Sequence, residues 1–353
     1  MRTTLQWVLP FVLFITFSHN VYAQQIDESL PDLAKDAAKK YVAPLVSGLG
    51  AGLNSGWVTY VPRPDLFGFN FNLRIVTTGV FFKEADKSFS TNGNFRFNRD
   101  EASYLTQDLN VNETVKQAVI DQILSQDFNV GIEGPTIVGN KNDHIKVNFG
   151  EHTFTVNNQN IVVPSQTVET NINGILDDLS FMPLAGPQLT VGTFLGSQVS
   201  VRYLPWFELN SEIGKFSCLG FGIMHNPGVW FPNPLPLDIG LGFFTQTMKA
   251  GDYLKATATQ VSIFAGKTIG PSMLSISPYA GISWERSSIS VDYKHTFETP
   301  AGPTTQEISF DMKGDKSVSF TVGGTLKISF VSLNVDFSLA TYNIFSAGVG
   351  LDF

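Results

Sequence analysis

One cysteine, Cys218, stands in 353 residues. It excludes an intramolecular disulfide and leaves no thiolate set for zinc or iron–sulfur. It lies in an alternating apolar stretch and is read as a buried or lipid-facing residue. Charge is also scarce. Only 15% of residues are Asp, Glu, Lys or Arg, against about 25% in ordinary soluble domains. The formal charge is -8, and the basic residues are scattered. Nucleic-acid binding rests on phosphate neutralisation, so a nucleic-acid partner is excluded. No stretch after the N-terminus has about 18 successive apolar residues, so helical membrane spans are excluded too. The catalytic patterns G-x-S-x-G, H-E-x-x-H, G-x-x-x-x-G-K-[ST] and C-x-x-C are absent, and no enzyme is expected.

The chain is nevertheless 43% hydrophobic, with 30 Phe and 31 Gly, and its mean hydropathy is +0.06. That much apolar side chain needs either a large core or lipid. Alternation at period two recurs along the chain. Phe67, Phe69, Phe71, Leu73 and Ile75 alternate with Gly68, Asn70, Asn72 and Arg74. From 187 onward such runs are dense; Val318 to Phe330 is a long example, and Leu333 to Leu339 precedes the terminal strand. Several reach nine residues or more, close to the 9 to 11 a tilted membrane strand needs. The last run puts Phe345, Val349, Leu351 and Phe353 on one face. These features predict an all-β fold, a transmembrane antiparallel β-barrel of 12 or 14 strands in the cell outer membrane. About nine strands fall after 187 and three to five before. A secreted soluble all-β domain is the alternative, weakened by strand length, low charge and the Phe content.

The N-terminus predicts a signal peptide, residues 1–23, with Arg2, an apolar run and Val21-Tyr22-Ala23 before the cut. Residues 24–52 predict a helix or hatch. An apolar stripe runs from Leu30 to Ala38, Pro31 suits the first turn, and Gly48, Gly50 and Gly52 end it. The segment either lies against the barrel rim or plugs the lumen. The barrel then takes 53–353, with a partly helical insertion at about 100–186. There Asn112 can cap a helix carrying Val115, Ala118, Val119 and Ile123, and Val168 to Leu179 reads as a second helical stripe.

Charges on the polar face of the strands are candidates for a lumen or constriction site: Arg74, Arg202, Glu208, Glu212 and Lys327. They could equally pair with one another. No metal or cofactor site is expected. Asp177-Asp178 is a weak calcium candidate beside the plainer reading of a solvated helix end. Ser290 and His295 would be the material for an outer-membrane hydrolase.

Gly186-Pro-Gln-Leu-Thr-Val-Gly192, Ser200-Val-Arg-Tyr-Leu-Pro205 and Asp127 to Val138 resemble patterns of an uncharacterised outer-membrane β-barrel family of Bacteroidota. That family is distantly similar to long-chain fatty acid outer-membrane transporters. The resemblance covers most of the mature chain. It implies a 14-stranded barrel with an N-terminal hatch, here residues 27–52, and a hydrophobic small-molecule ligand. It also implies that Phe353 and its strand are recognised by the barrel assembly machinery. The expected function is a passive channel or transporter for small or hydrophobic solutes. A non-transport adhesin or scaffold is the alternative.

Overall fold

The computed structural model describes residues 30–353, apart from residues 96, 98, 175, 211–213, 232–235, 252–253, 300–301 and 316. The signal-peptide expectation and Glu212 lie outside the described residues. The chain divides into two compact units. In chain order, helix α1 covers Leu30–Asn54 and strand β1 covers Phe67–Phe81. Then come β2 (Ser88–Phe95), α2 (Arg99–Leu105), α3 (Glu113–Ser125), β3 (Phe128–Pro135), β4 (His144–Phe149), β5 (His152–Val156), β6 (Gln159–Val163) and β7 (Gln166–Asn173). The remaining strands are β8 (Phe181–Phe194), β9 (Ser197–Asn210), β10 (Gly214–His225), β11 (Asp238–Ala250), β12 (Leu254–Gly266), β13 (Leu274–Thr299), β14 (Gly302–Lys313), β15 (Ser317–Ile328), β16 (Val331–Leu339) and β17 (Asn343–Asp352).

The first unit holds β1, β8 to β17 and the chain from Leu45. Its sheet runs β12-β11-β10-β9-β8-β1-β17-β16-β15-β13-β14, and β12 also pairs β13. Strand β14 pairs only with the far part of β13, so ten strands close a ring in which every pairing is antiparallel. Closure joins the first and last strands. Phe71 and Phe353 exchange backbone hydrogen bonds at 3.1 and 2.9 Å, and Ile75 stands opposite Val349. A closed ring leaves no sheet edge unpaired.

The ring has ten strands, not 12 or 14. Nine fall after residue 180, close to the expected density. The front half contributes only β1, because the other front strands pair in a separate sheet. Strand β13 is also a single 26-residue strand. Its polar run at Glu285 to Ser288 reads as a break in the sequence, but β12 pairs it without interruption.

Strand β16 shows how the ring sorts its side chains. Ser332, Asn334, Asp336 and Ser338 are buried, while Leu333, Val335, Phe337 and Leu339 are exposed. On β1, Asn72, Arg74 and Thr78 are buried, and Leu73 and Ile75 are exposed. The ring is apolar outside and polar inside, the reverse of a soluble barrel.

Of the described residues, the second unit holds 30–44 and Lys83–Leu179. Its four-stranded sheet is ordered β2-β3-β4-β7, and β5–β6 form a separate hairpin. Helix α3 starts as expected, with Asn112 accepting from Val115 N at 2.9 Å. It buries Val119, Ile120 and Ile123 in a core with Leu105, Phe128 and Phe149. The expected second helix is instead strand β7, where Val168 pairs Val147. The alternating Thr167, Val168, Glu169 and Thr170 suit a pleat, and the β-branched residues favour it. Its second stretch begins at Lys83, where the insertion was expected from about 100, and Tyr41 of α1 donates to Asn173 O at 2.8 Å within the unit.

Candidate functional site

Helix α1 runs six residues past Gly48. The glycines do not end it. A Cβ on Gly48 would stand 2.7 Å from the Phe82 ring, and one on Gly52 would stand 2.6 Å from Leu184. A Cβ on Gly50 would collide with Ser287. These residues let the helix approach the strands closely. From Leu45 onward the helix and the chain after it are buried within the ring, including Leu49, Leu53, Trp57, Val58 and Val61.

A helix ending inside a barrel leaves carbonyls without intrahelical partners. Here those of Ala51, Gly52 and Leu53 are met. Ser55 Oγ donates to Ala51 O at 3.0 Å and Trp57 Nε1 donates to Leu53 O at 3.2 Å. Ser55 N and Thr78 Oγ1 reach Gly52 O at 3.2 and 3.4 Å. Gly56 carries φ +68°, the left-handed position that commonly follows a helix.

Two arginines then take the next carbonyls. Arg74 Nη2 donates to Gly56 O at 2.6 Å and Trp57 O at 3.0 Å, and its Nη1 donates to Asn334 Oδ1 at 3.0 Å. Arg202 donates to Ser55 O at 3.3 Å and to Gly56 O at 3.0 Å. It is oriented by Gln188 Oε1 at 2.9 Å and Gln246 Oε1 at 3.0 Å. Its guanidinium lies 4.1 Å over the Trp57 ring. Two cations at a helix C-terminus also complement its dipole.

The extended chain beyond is held in the same way. Gln188 Nε2 donates to Trp57 O at 2.9 Å, Tyr279 Oη to Val58 O at 2.9 Å and Asn226 Nδ2 to Pro62 O at 2.7 Å. Thr325 Oγ1 donates to Thr59 O. Apolar packing fills the gaps. Trp57 sits 5.3 Å from Phe244, and Val58, Val61, Met224 and Phe264 complete the cluster. Two cavities beside the segment measure about 10 and 20 Å³, room for about one water each.

Of the five candidate residues, Arg74 and Arg202 meet at Gly56. Lys327 is elsewhere, bonded to Asp352 at 2.7 Å. Glu208 is placed in β9, but its side chain lies outside the described set, as does Glu212 altogether. Sequence reasoning missed Ser55, Gly56 and Trp57, the residues on which the two arginines converge. Their stretch has no periodicity, and only the Ser-Gly pair signals a turn.

The other candidate chemistry is accounted for by partners. Asp177 bonds Lys141 at 2.6 Å. Asp178 faces Lys87 at 3.3 Å and Asn140 at 3.2 Å. Ser290 Oγ donates to Asp311 Oδ1 at 2.5 Å, and the His295 side chain lies outside the described set. Ser197 Oγ lies 2.9 Å from His225 Nδ1, a contact the sequence did not suggest. Trp230 Nε1 donates to His225 Nε2 at 3.2 Å. In the neutral ring that leaves the proton on Nδ1, so the imidazole donates to Ser197 and cannot take its proton.

The chain belongs to a family of unknown function, DUF6588, which matches it over residues 1–353. No curated protein matches it in sequence. Among solved structures it is similar to in-vitro folded OmpT, an outer membrane protein of Vibrio cholerae, at 11% identity and TM-score 0.24. That match covers 81% of this chain and 99% of the other. It is also similar to the transport unit of the autotransporter AIDA-I from Escherichia coli, at 8% identity and TM-score 0.24, covering 92% and 98%. A porin matches at 10% identity and TM-score 0.19, covering 81% and 99%. At these scores the fold rests on the closed ring of pairings, not on the likeness.

Proposed function

We propose that the protein is an outer-membrane β-barrel that crosses the bilayer with its ten strands and keeps its lumen closed with residues 45–62. It serves as a surface or structural barrel, without a catalytic step. The belt of outward Leu, Val, Ile and Phe supports the membrane, since a closed ring with that exterior meets both demands of hydrocarbon.

The observation that carries the closed lumen is the set of side chains holding one segment from around the wall. Donors from β1, β8, β9, β13 and β15 all reach carbonyls between Gly52 and Tyr60. Passage of small or hydrophobic solutes is the second reading. The polar wall favours it, because Asn72, Gln188, Gln246 and Gln260 would be wetted if the segment withdrew.

Density fractionation with heat-modifiable gel mobility tests the membrane reading. Liposome swelling tests the closed lumen. Outer-membrane recovery, a mobility shift on boiling and no swelling by small sugars are expected. Equal mobility before and after boiling, or swelling graded by sugar size, would contradict it.

A further inference from the structure

The lumen segment has a direction, and the direction assigns sides. Ser47 Oγ bonds Asp315 and Gly48 lies beside Phe82, so α1 enters the ring at the end where β1 finishes. The segment leaves at the other end, where Asn226 holds Pro62 and Val61 touches Gly240 and Gly266. Phe71 and Phe353 close the ring toward that second end. The chain therefore traverses the lumen once before β1 carries it back through the wall.

The two ends differ in their connections. At the Phe353 end the ring is joined through residues 195–196, 226–237, 267–273 and 329–330. At the other end the connections 211–213, 251–253 and 340–342 are short, but the chain also departs at Phe82 and returns only at Ser180, where Phe82 N donates to Ser180 O at 3.0 Å. The paired extension of β13 and β14 reaches past the ring there as well. Barrels of this class keep short turns in the periplasm and long excursions outside.

Resting on the outer-membrane reading above, we infer that the barrel threads its own helix α1, so that residues 30–44 and residues 83–179 are displayed on the cell exterior. The chain runs from outside to inside through the lumen at 45–62, then from inside to outside along β1. Residues 30–44 thus reach the exterior through the barrel. A simple hatch would leave them in the periplasm.

Cysteine accessibility in whole cells tests this. In a Cys218→Ser background, single cysteines are placed at the exposed positions Lys40, Thr114 and Ser272. A membrane-impermeant maleimide is added before and after lysis. The expected result is labelling of K40C and T114C on intact cells, and of S272C only after lysis. Labelling of S272C alone on intact cells, of all three, or of none would overturn the inference. Labelling of T114C without K40C would overturn the threading. Absence of the protein from the outer-membrane fraction would instead overturn the membrane reading, which separates the two failures.

Discussion

Arg74 and Arg202, on β1 and β9, donate to the same acceptor, the carbonyl of Gly56, at 2.6 and 3.0 Å. Both guanidiniums are buried, and neither is spent on a carboxylate at ion-pair distance among the described residues. They hold the end of a helix in place inside the barrel. Removing Arg74 takes a donor from Gly56 O, Trp57 O and Asn334 Oδ1, and removing Arg202 takes the donors from Ser55 O and one of the two from Gly56 O.

Arg202→Ala should cost about 2–4 kcal/mol of barrel stability, because it strips donors from Ser55, Gly56 and two glutamines. Arg74→Ala should cost a similar amount. The double variant should lose more than the sum, since each single variant leaves Gly56 O one donor and only the double removes both. Urea titration followed by gel mobility of folded and unfolded forms measures all three. Strict additivity would mean that the shared carbonyl does not couple them.

Gly50→Leu puts a side chain where Ser287 already stands. The ring cannot widen without breaking its pairings, so the helix must shift out. Bilayer conductance should appear in this variant while the heat-modifiable barrel is retained. A variant as silent and as stable as wild type would show that the helix does not press on the wall there.

The outer belt gives a test by position. Val349 is 54% exposed and sits mid-strand opposite Ile75 and Leu333. Val349→Lys should destabilise the folded barrel by about 2–4 kcal/mol in lipid if it lies near the midplane. Replacement by Leu should be nearly neutral. Equal effects of the two substitutions would argue against lipid contact at that face.

The Asp177 carboxyl is held below the usual carboxylate range, chiefly by its hydrogen bond from Lys141. A depressed carboxylate stabilises the fold above its unfolded pKa, and that contribution is lost as pH falls through the folded one. Asp177→Asn should therefore make stability less sensitive to acid below about pH 4, the ordinary carboxylate range. The pair is exposed, so the change should be small. Thermal melts between pH 3 and 7 check it, and a steeper acid loss in the variant would contradict the assignment.

Much of the ring was legible. The alternation on β1, β16 and β17 marked which residues face out, and on β1 it set Arg74 opposite the outward Leu73 and Ile75. Period two reports a face whatever the partner strand is, so these survive ignorance of topology. Strand number did not, because alternation cannot tell a ring strand from the β14 extension or from β2 to β7. The three glycines of α1 carried the opposite meaning from the one their chemistry suggests. Gly48, Gly50 and Gly52 look like a helix end, but their lack of a side chain serves the fit against Phe82, Ser287 and Leu184. Trp57 was invisible for a related reason. Its partners Arg202, Gly220 and Phe244 come from three strands far away in sequence.

Planar-bilayer recording tests the occupied lumen most directly. Wild-type protein should insert without steady conductance, and a variant lacking residues 24–58 should open ohmic channels under the same salt and voltage. Steady channels of equal size from both would contradict a lumen closed by residues 45–62.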